Sequence, residues 1–279
     1  MKLGLFGINM NDMADPDRVR QVAQHAEKLG FESLWTGEHV VLPDPREAPS
    51  PADPDTPMLH PSTLLSFLAA VTKKINLGTG ITLVAQRNPV VLAKEMASLD
   101  VLSKGRLLLG VGAGYLHQEF SALGVDFVSR GARTDEYIDA MRELWTAEKP
   151  QFAGNFVNFS NIDAQPRPHN PGGPPIIVGG ASPAALRRAV THGQGWYGFA
   201  MDVETTAKVL ETLELAKARH PRPEGWADLE ISITPPKPPT KAMLDDYAAL
   251  GVHRVMPMLG FYKADTVMGE IEGLAKLVN

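Results

Sequence analysis

The sequence predicts an α/β fold, a single (β/α)8 barrel over residues 1–279 with insertion segments after strands 2 and 4. Short apolar runs typical of strands alternate with helical periodicity along the chain, which is the pattern of parallel βα units. Eight such pairs fit into 279 residues, a length at which closed barrels fold as one unit. An open, doubly wound sheet is the alternative architecture.

The predicted elements follow one another in a regular order. The eight strands are predicted at residues 3–8, 33–37, 75–81, 106–111, 175–179, 195–199, 229–233 and 253–258. Between them, apolar residues recur at helical spacing within residues 19–29, 92–99, 137–144, 210–213, 244–248 and 267–278. Glycines fall just past several helices, where a left-handed C-cap is favoured, at Gly30, Gly105, Gly193 and Gly251.

Two irregular stretches interrupt this alternation. Residues 43–61, rich in proline, follow the second strand, and residues 148–174 follow the fourth helix. The second stretch contains a predicted hairpin of residues 151–153 and 156–159 around Gly154 and Asn155. Because active sites of such barrels lie at the carboxyl ends of the strands, the first stretch is expected to form a lid or wall of the pocket.

Composition narrows the range of functions. A net charge of −5 without basic clusters argues against nucleic-acid binding. The absence of cysteine excludes disulfides and thiolate chemistry and is compatible with a cytoplasmic protein. The longest apolar stretch, residues 64–71, is too short to span a bilayer, so no membrane association is expected. The eight histidines show no metal-ligand spacing, and no metal site is predicted.

The first candidate for chemistry is Glu38 followed by His39 at the end of the second strand. A carboxylate and an imidazole where a barrel strand meets its loop are suited to proton transfer. The alternative is a glutamate that stabilises the loop beside a surface histidine. The residues alone do not favour either interpretation.

Two glycine-rich turns are candidates for ligand binding. Residues 110–115, GVGAGY, fail the dinucleotide-binding pattern because the third glycine comes one position early. They fit either a close approach to a flat ligand or an ordinary tight turn. At residues 179–182, Ser182 is a predicted N-cap after two glycines, which suits phosphate binding at a helix start. A helix start that binds nothing is the alternative.

Taken together, these segments resemble the luciferase-like monooxygenase superfamily. The resemblance extends over roughly residues 3–200 and is carried in sequence order by residues 26–39, 88–95, 99–100, 103–106, 110–115, 119–120, 130–136, 177–182 and 195–196. Within the superfamily, the chain most resembles the branch that uses the deazaflavin coenzyme F420 in place of FMN. The resemblance implies a ring bound at the carboxyl ends of the barrel strands.

The resemblance also assigns the site residues. It implies a non-prolyl cis peptide at Gly80–Ile81 behind the ring, and Glu38 and His39 beside the ring. The remaining cofactor contacts are expected at Gly112 and Gly114 near the polar edge of the ring and at Gly179, Gly180, Ala181 and Ser182 around the phosphate. Sugar and alcohol dehydrogenases of this branch carry a glutamate where this chain has Tyr115, so a reductase or a hydride transfer with another substrate is expected rather than alcohol oxidation. Tyr115 is a candidate hydrogen-bond donor to the substrate.

The expected function is hydride transfer between coenzyme F420 and a small organic substrate, with His39 as acid or base. An FMN-dependent monooxygenase of the same fold is the main alternative, and a barrel that binds a ligand without catalysis is another. Relatives often form dimers, so the resemblance is compatible with a homodimer as well as with a monomer.

Overall fold

The protein is a closed barrel of eight parallel strands surrounded by helices, as predicted. The computed structural model describes residues 1–261 and 265–277, so Val278, which ends the predicted last helical pattern, lies outside the described residues. The barrel strands are β1 (Lys2–Phe6), β2 (Ser33–Thr36), β3 (Asn76–Thr79), β4 (Leu107–Gly112), β5 (Ile176–Gly179), β6 (Gly195–Phe199), β7 (Glu230–Thr234) and β8 (Arg254–Val255). Strand β1 pairs in parallel with both β2 and β8, which closes the barrel.

The described part of the chain contains nine α-helices. They are α1 (Pro16–Leu29), α2 (Pro61–Val71), α3 (Pro89–Ser103), α4 (His117–Ala122), α5 (Arg130–Thr146), α6 (Pro183–His192), α7 (Val203–Arg219), α8 (Lys241–Ala249) and α9 (Val267–Ala275). At five N-caps, the side chain accepts a hydrogen bond from an N–H group of the first helical turn. These N-cap residues are Asp15, Asn88, Ser182, Asp202 and Thr240. Proline occupies the first position of several helices, where its missing N–H costs nothing.

Alternation along the strands divides the core into two layers. On β2, Leu34 belongs to the apolar layer between strands and helices, whereas Trp35 belongs to the barrel interior. The interior cluster comprises Phe6, Trp35, Ile177, Tyr197 and Met256. Because side chains alternate with a period of two, neighbouring residues of one strand belong to different layers.

The amino end of the barrel is closed by Arg254. Its guanidinium donates twice to Glu32, also contacts Ser232, and lies 5.4 Å from the centre of the Trp35 ring. Burial alone would lower the pKa of Arg254, but the carboxylates of Glu32 and Glu230 raise it. Because the Arg254 cluster fills the amino end of the barrel, a ligand site is expected at the carboxyl end.

Both insertions pack where the sequence places them. Residues 152–153 and 158–159 form the predicted antiparallel hairpin. The segment 43–61 runs along the loop after β1, since Met10 and Met58 form an antiparallel bridge. The buried Asn9 side chain joins this segment to the end of β2 by donating to the carbonyls of Leu59 and Gly37. The first insertion therefore forms a wall beside the barrel mouth.

Candidate active site

Glu38 and His39 lie on opposite faces of the chain. The His39 side chain faces the loop and helix that follow β4, whereas the Glu38 side chain faces the segment between β3 and α3. The two side chains are adjacent in sequence and have different partners in space. The carboxylate that contacts His39 is that of Glu119, from α4.

His39 is the middle residue of a row of three side chains linked by hydrogen bonds, Glu119, His39 and Tyr115. Its Nδ1 lies 3.3 Å from Glu119 Oε2, and its Nε2 lies 3.3 Å from the Tyr115 hydroxyl. Glu119 Oε1 accepts from the Val40 N–H at 2.6 Å, so the carboxylate is anchored to the loop that carries His39. The side chain of Glu119 is 1% exposed and that of His39 is 10% exposed, whereas Tyr115 is open to solvent. This row of side chains thus runs from a buried carboxylate outward to an accessible phenol.

The surroundings of this row of side chains favour a charged Glu119 at its inner end and a neutral Tyr115 at its outer end. Burial by itself would raise the pKa of Glu119, but hydrogen bonds from His39 and the Val40 N–H, and the charge of His39, lower it overall. The amide of buried Gln86 also lies beside Glu119 and contributes to this lowering, although its geometry falls short of a hydrogen bond. Desolvation, and then the negative charge of Glu119, raises the pKa of Tyr115. At neutral pH, Glu119 is ionised and Tyr115 is protonated.

Glu38 is part of a separate buried ion pair. Its carboxylate accepts from the Leu83 N–H at 2.8 Å and from Arg87, and its side chain is 1% exposed. Arg87 also lies 2.9 Å from His60 Nε2, at the end of the first insertion. Glu38 thereby ties the end of β2 to the segment that follows the cis peptide.

The peptide bond between Gly80 and Ile81 is cis, as the family resemblance implies. The Ile81 side chain turns into the barrel and occupies space that glycines leave free. A Cβ on Gly112 would lie 1.9 Å from Ile81 Cδ1, and a Cβ on Gly179 would lie 2.8 Å from Ile81 Cγ2. The structure therefore shows these two glycines making room for Ile81, next to the position expected for a ring.

The start of α6 has the geometry expected of an anion site. Gly180 has a φ of +104°, which favours glycine, and the exposed residues Ala181 and Ser182 lead into the helix. Ser182 Oγ accepts from the Ala185 N–H at 3.2 Å as the N-cap. The Gly180 carbonyl accepts from Trp196 Nε1 at 2.8 Å, which fixes the turn against β6.

Gly114 serves packing in the loop after β4. Its φ is +83°, and a Cβ there would lie 2.7 Å from the Phe120 ring. Gly114 therefore lets α4 approach β4, which is the approach that brings Glu119 to His39.

Aromatic residues line the opposite side of the mouth. The Phe199 ring, at the end of β6, is 44% exposed and lies 5.2 Å from the ring of Phe6. Tyr197, below it, donates to or accepts from Thr234 Oγ1 at 2.7 Å, and burial raises its pKa. This wall offers apolar surface to a ring or a substrate.

The sequence prediction omitted Glu119 and Arg87 from the site. Glu119 lies 80 residues from His39 and Arg87 lies 49 residues from Glu38, so no local spacing pairs them. The only sequence signal for Glu119 was its place in a segment that carries the family resemblance. Within the part of the chain that the structure describes, no group of three acidic, histidine or cysteine side chains could hold a metal, and no helix is long and apolar enough to cross a membrane.

Comparisons with known proteins agree with this architecture. The chain is 30% identical over 244 residues to the F420-dependent glucose-6-phosphate dehydrogenase of Kineococcus radiotolerans, covering 82% of this chain and 67% of the relative. Monooxygenase RslO1 from Streptomyces bottropensis matches with a TM-score of 0.79 at 21% identity, over 99% of this chain and 98% of that chain.

A second solved structure is an F420-dependent secondary alcohol dehydrogenase in complex with an F420–acetone adduct. It matches with a TM-score of 0.79 at 17% identity, over 100% of this chain and 99% of that chain. Both structural matches concern the fold. The family model for luciferase-like monooxygenases matches residues 1–266, and the chain belongs to that family.

Proposed function

We propose that this protein is an oxidoreductase that transfers hydride between coenzyme F420 and a small organic substrate at the barrel mouth. The observation that carries the proposal is the arrangement of Ile81 and His39, which places a backbone platform and an imidazole at the same barrel end as the exposed start of α6. The 30% identity to an F420-dependent dehydrogenase supports the choice of cofactor.

The residues present fit a flat ring with a phosphate. The Gly80–Ile81 segment would support the ring, because Gly112 and Gly179 leave space for the Ile81 side chain behind it. Residues 180–182 would hold the phosphate, since a helix start offers free N–H groups and a favourable dipole. The exposed Phe199 ring would cover an apolar edge.

The protein residues supply position and proton transfer. A bound deazaflavin moves hydride and supports oxygen chemistry poorly, whereas FMN supports both. His39 is the candidate acid or base, because its Nε2 faces the mouth while Glu119 holds its Nδ1. The apolar wall would contact the apolar part of a bound ring.

Fluorescence titration of the purified protein with F420 and, separately, with FMN tests the proposal. Trp196 contacts the Gly180 carbonyl and therefore reports on the α6 start. We expect quenching at lower concentrations of F420 than of FMN. Ala181→Asp should weaken binding about 10-fold or more by charge repulsion, whereas the control Ala242→Asp, exposed in the first turn of α8, should not. Tight FMN binding without F420 binding would contradict the proposal.

An FMN-dependent monooxygenase is the second candidate. The match of residues 1–266 to the luciferase-like monooxygenase family model supports this alternative. The same titration separates the two candidates, and binding of neither compound would support a barrel without redox function.

A further inference from the structure

We propose that Glu119 is the positioning residue of this site and that the proton path leads from His39 to the substrate through the Tyr115 hydroxyl. The inference deepens the proposed function and rests on it for the identity of the reaction. It concerns which carboxylate controls His39, and the local sequence suggests Glu38 for that role.

Glu119 controls the protonation pattern of the imidazole. An ionised carboxylate can only accept hydrogen bonds, so the contact at 3.3 Å requires a proton on His39 Nδ1. In the neutral ring, that leaves Nε2 as the acceptor, and Nε2 faces the Tyr115 hydroxyl at 3.3 Å. Glu119 cannot turn away easily, because its other oxygen accepts the Val40 N–H and its side chain is buried.

Glu38 is excluded from this role by its own contacts. It is bound by Arg87 and the Leu83 N–H. Among the residues that the structure describes, the hydrogen-bond partners of the His39 ring are Glu119 and Tyr115. Glu38, Arg87 and His60 form their own cluster.

Tyr115 is the accessible end of the path. Its side chain is exposed at the mouth, and its ring meets the His39 ring edge to face at 5.6 Å. A bound, reduced deazaflavin would supply hydride to a carbonyl carbon of the substrate, and as the C–O π pair moved to oxygen, that oxygen would take the Tyr115 proton. The imidazolium form of His39, which carries a proton on each nitrogen, would return a proton from Nε2 to the Tyr115 oxygen. This leaves the neutral ring with its proton on Nδ1, and water at the mouth would reprotonate Nε2. A substrate whose reacting group is a carbonyl or alcohol oxygen fits this path.

Nuclear magnetic resonance of protein labelled with ¹⁵N-histidine tests the role of Glu119 without any substrate or cofactor. The His39 signals are assigned by their loss in His39→Asn. We expect neutral His39 to carry its proton on Nδ1 in the unmodified protein. Glu119→Gln should abolish this preference, because the amide can donate toward Nδ1 and favour the other tautomer.

Glu38→Gln is the matched control, since it changes the adjacent carboxylate on the opposite face. We expect it to leave the His39 tautomer unchanged, and Tyr115→Phe to shift the Nε2 signal while the proton stays on Nδ1. An Nε2 proton in the unmodified protein, or a tautomer that responds to Glu38→Gln, would overturn the inference. If Glu119→Gln does not fold, the unmodified protein and Glu38→Gln still decide the question. Failure of F420 binding would overturn the proposed function and leave this result standing.

Discussion

At the scale of single residues, the site depends on where two neighbouring side chains point. His39 faces the residues that follow β4, and Glu38 faces those that follow the Gly80–Ile81 peptide. The His39 ring contacts the carboxylate of Glu119, and the carboxylate of Glu38 pairs with Arg87. Two buried carboxylates thus hold the end of β2 from its two faces.

The lowered pKa of Glu119 predicts a contribution to acid stability. A carboxyl whose pKa is lower in the folded protein stabilises it above the ordinary value of about 4.3, and this contribution is lost as the pH falls through the folded value. The stability of Glu119→Gln should therefore fall less than that of the unmodified protein between neutral pH and about pH 3, an interval that extends below the unfolded value. Urea unfolding at both pH values measures this, and an equal loss in the two proteins would contradict it.

The Glu38–Arg87 pair predicts a strong coupling. Arg87→Met leaves a carboxylate buried without its partner, which should destabilise the fold by about 3–5 kcal/mol. Adding Glu38→Gln should recover much of that loss, because the charge is removed. Chemical unfolding of the two single variants and the double variant measures the coupling. Additive losses would show that the pair does not interact.

His39 could be anticipated from the sequence, since it lies within a segment that carries the family resemblance, and the resemblance itself implied the cis Gly80–Ile81 bond. The Glu119 contact could not be derived, because it joins residues 80 positions apart and depends on how α4 packs against β4. Pairing between distant residues is set by barrel closure and loop packing, which local patterns do not encode.

At the scale of elements, glycines decide how closely strands and helices approach. Gly30, Gly105 and Gly251 have positive φ values after their helices, as predicted. Gly193 does not, since its φ is −107° and it continues in an extended conformation. A Cβ there would lie 2.9 Å from the carbonyl oxygens of Ala189 and Gly195. Glycine is therefore required at Gly193, but the reason is that a side chain has no room there, rather than a positive φ.

Gly110 provides the sharpest test of this packing. A Cβ at this position would lie 1.7 Å from the Thr79 carbonyl oxygen, so Gly110→Ala forces strands β3 and β4 apart. We expect a destabilisation of about 3 kcal/mol or more. Gly269→Ala, in open space on α9, is the control and should stabilise the protein by about 0.5–1 kcal/mol. Similar unfolding free energies for the two variants, measured by denaturant titration, would refute this account.

At the scale of the whole molecule, the closed barrel brings distant segments to one mouth. The eight strands and their order followed from alternating strand and helix patterns, because each βα unit has its own local signature. The short strand Thr82–Leu83 was not predicted, since its pairing with β4 follows the cis peptide and has no pattern of its own. The wall formed by residues 43–61 was expected from its place after β2.

A crystal structure of the protein with bound F420 tests the central claim most directly. We expect the ring to lie against the Gly80–Ile81 peptide on the side of His39, with the phosphate at residues 180–182. A ring located elsewhere, or a mouth filled by the Phe6, Phe199 and Tyr115 side chains that leaves no room for it, would contradict the claim.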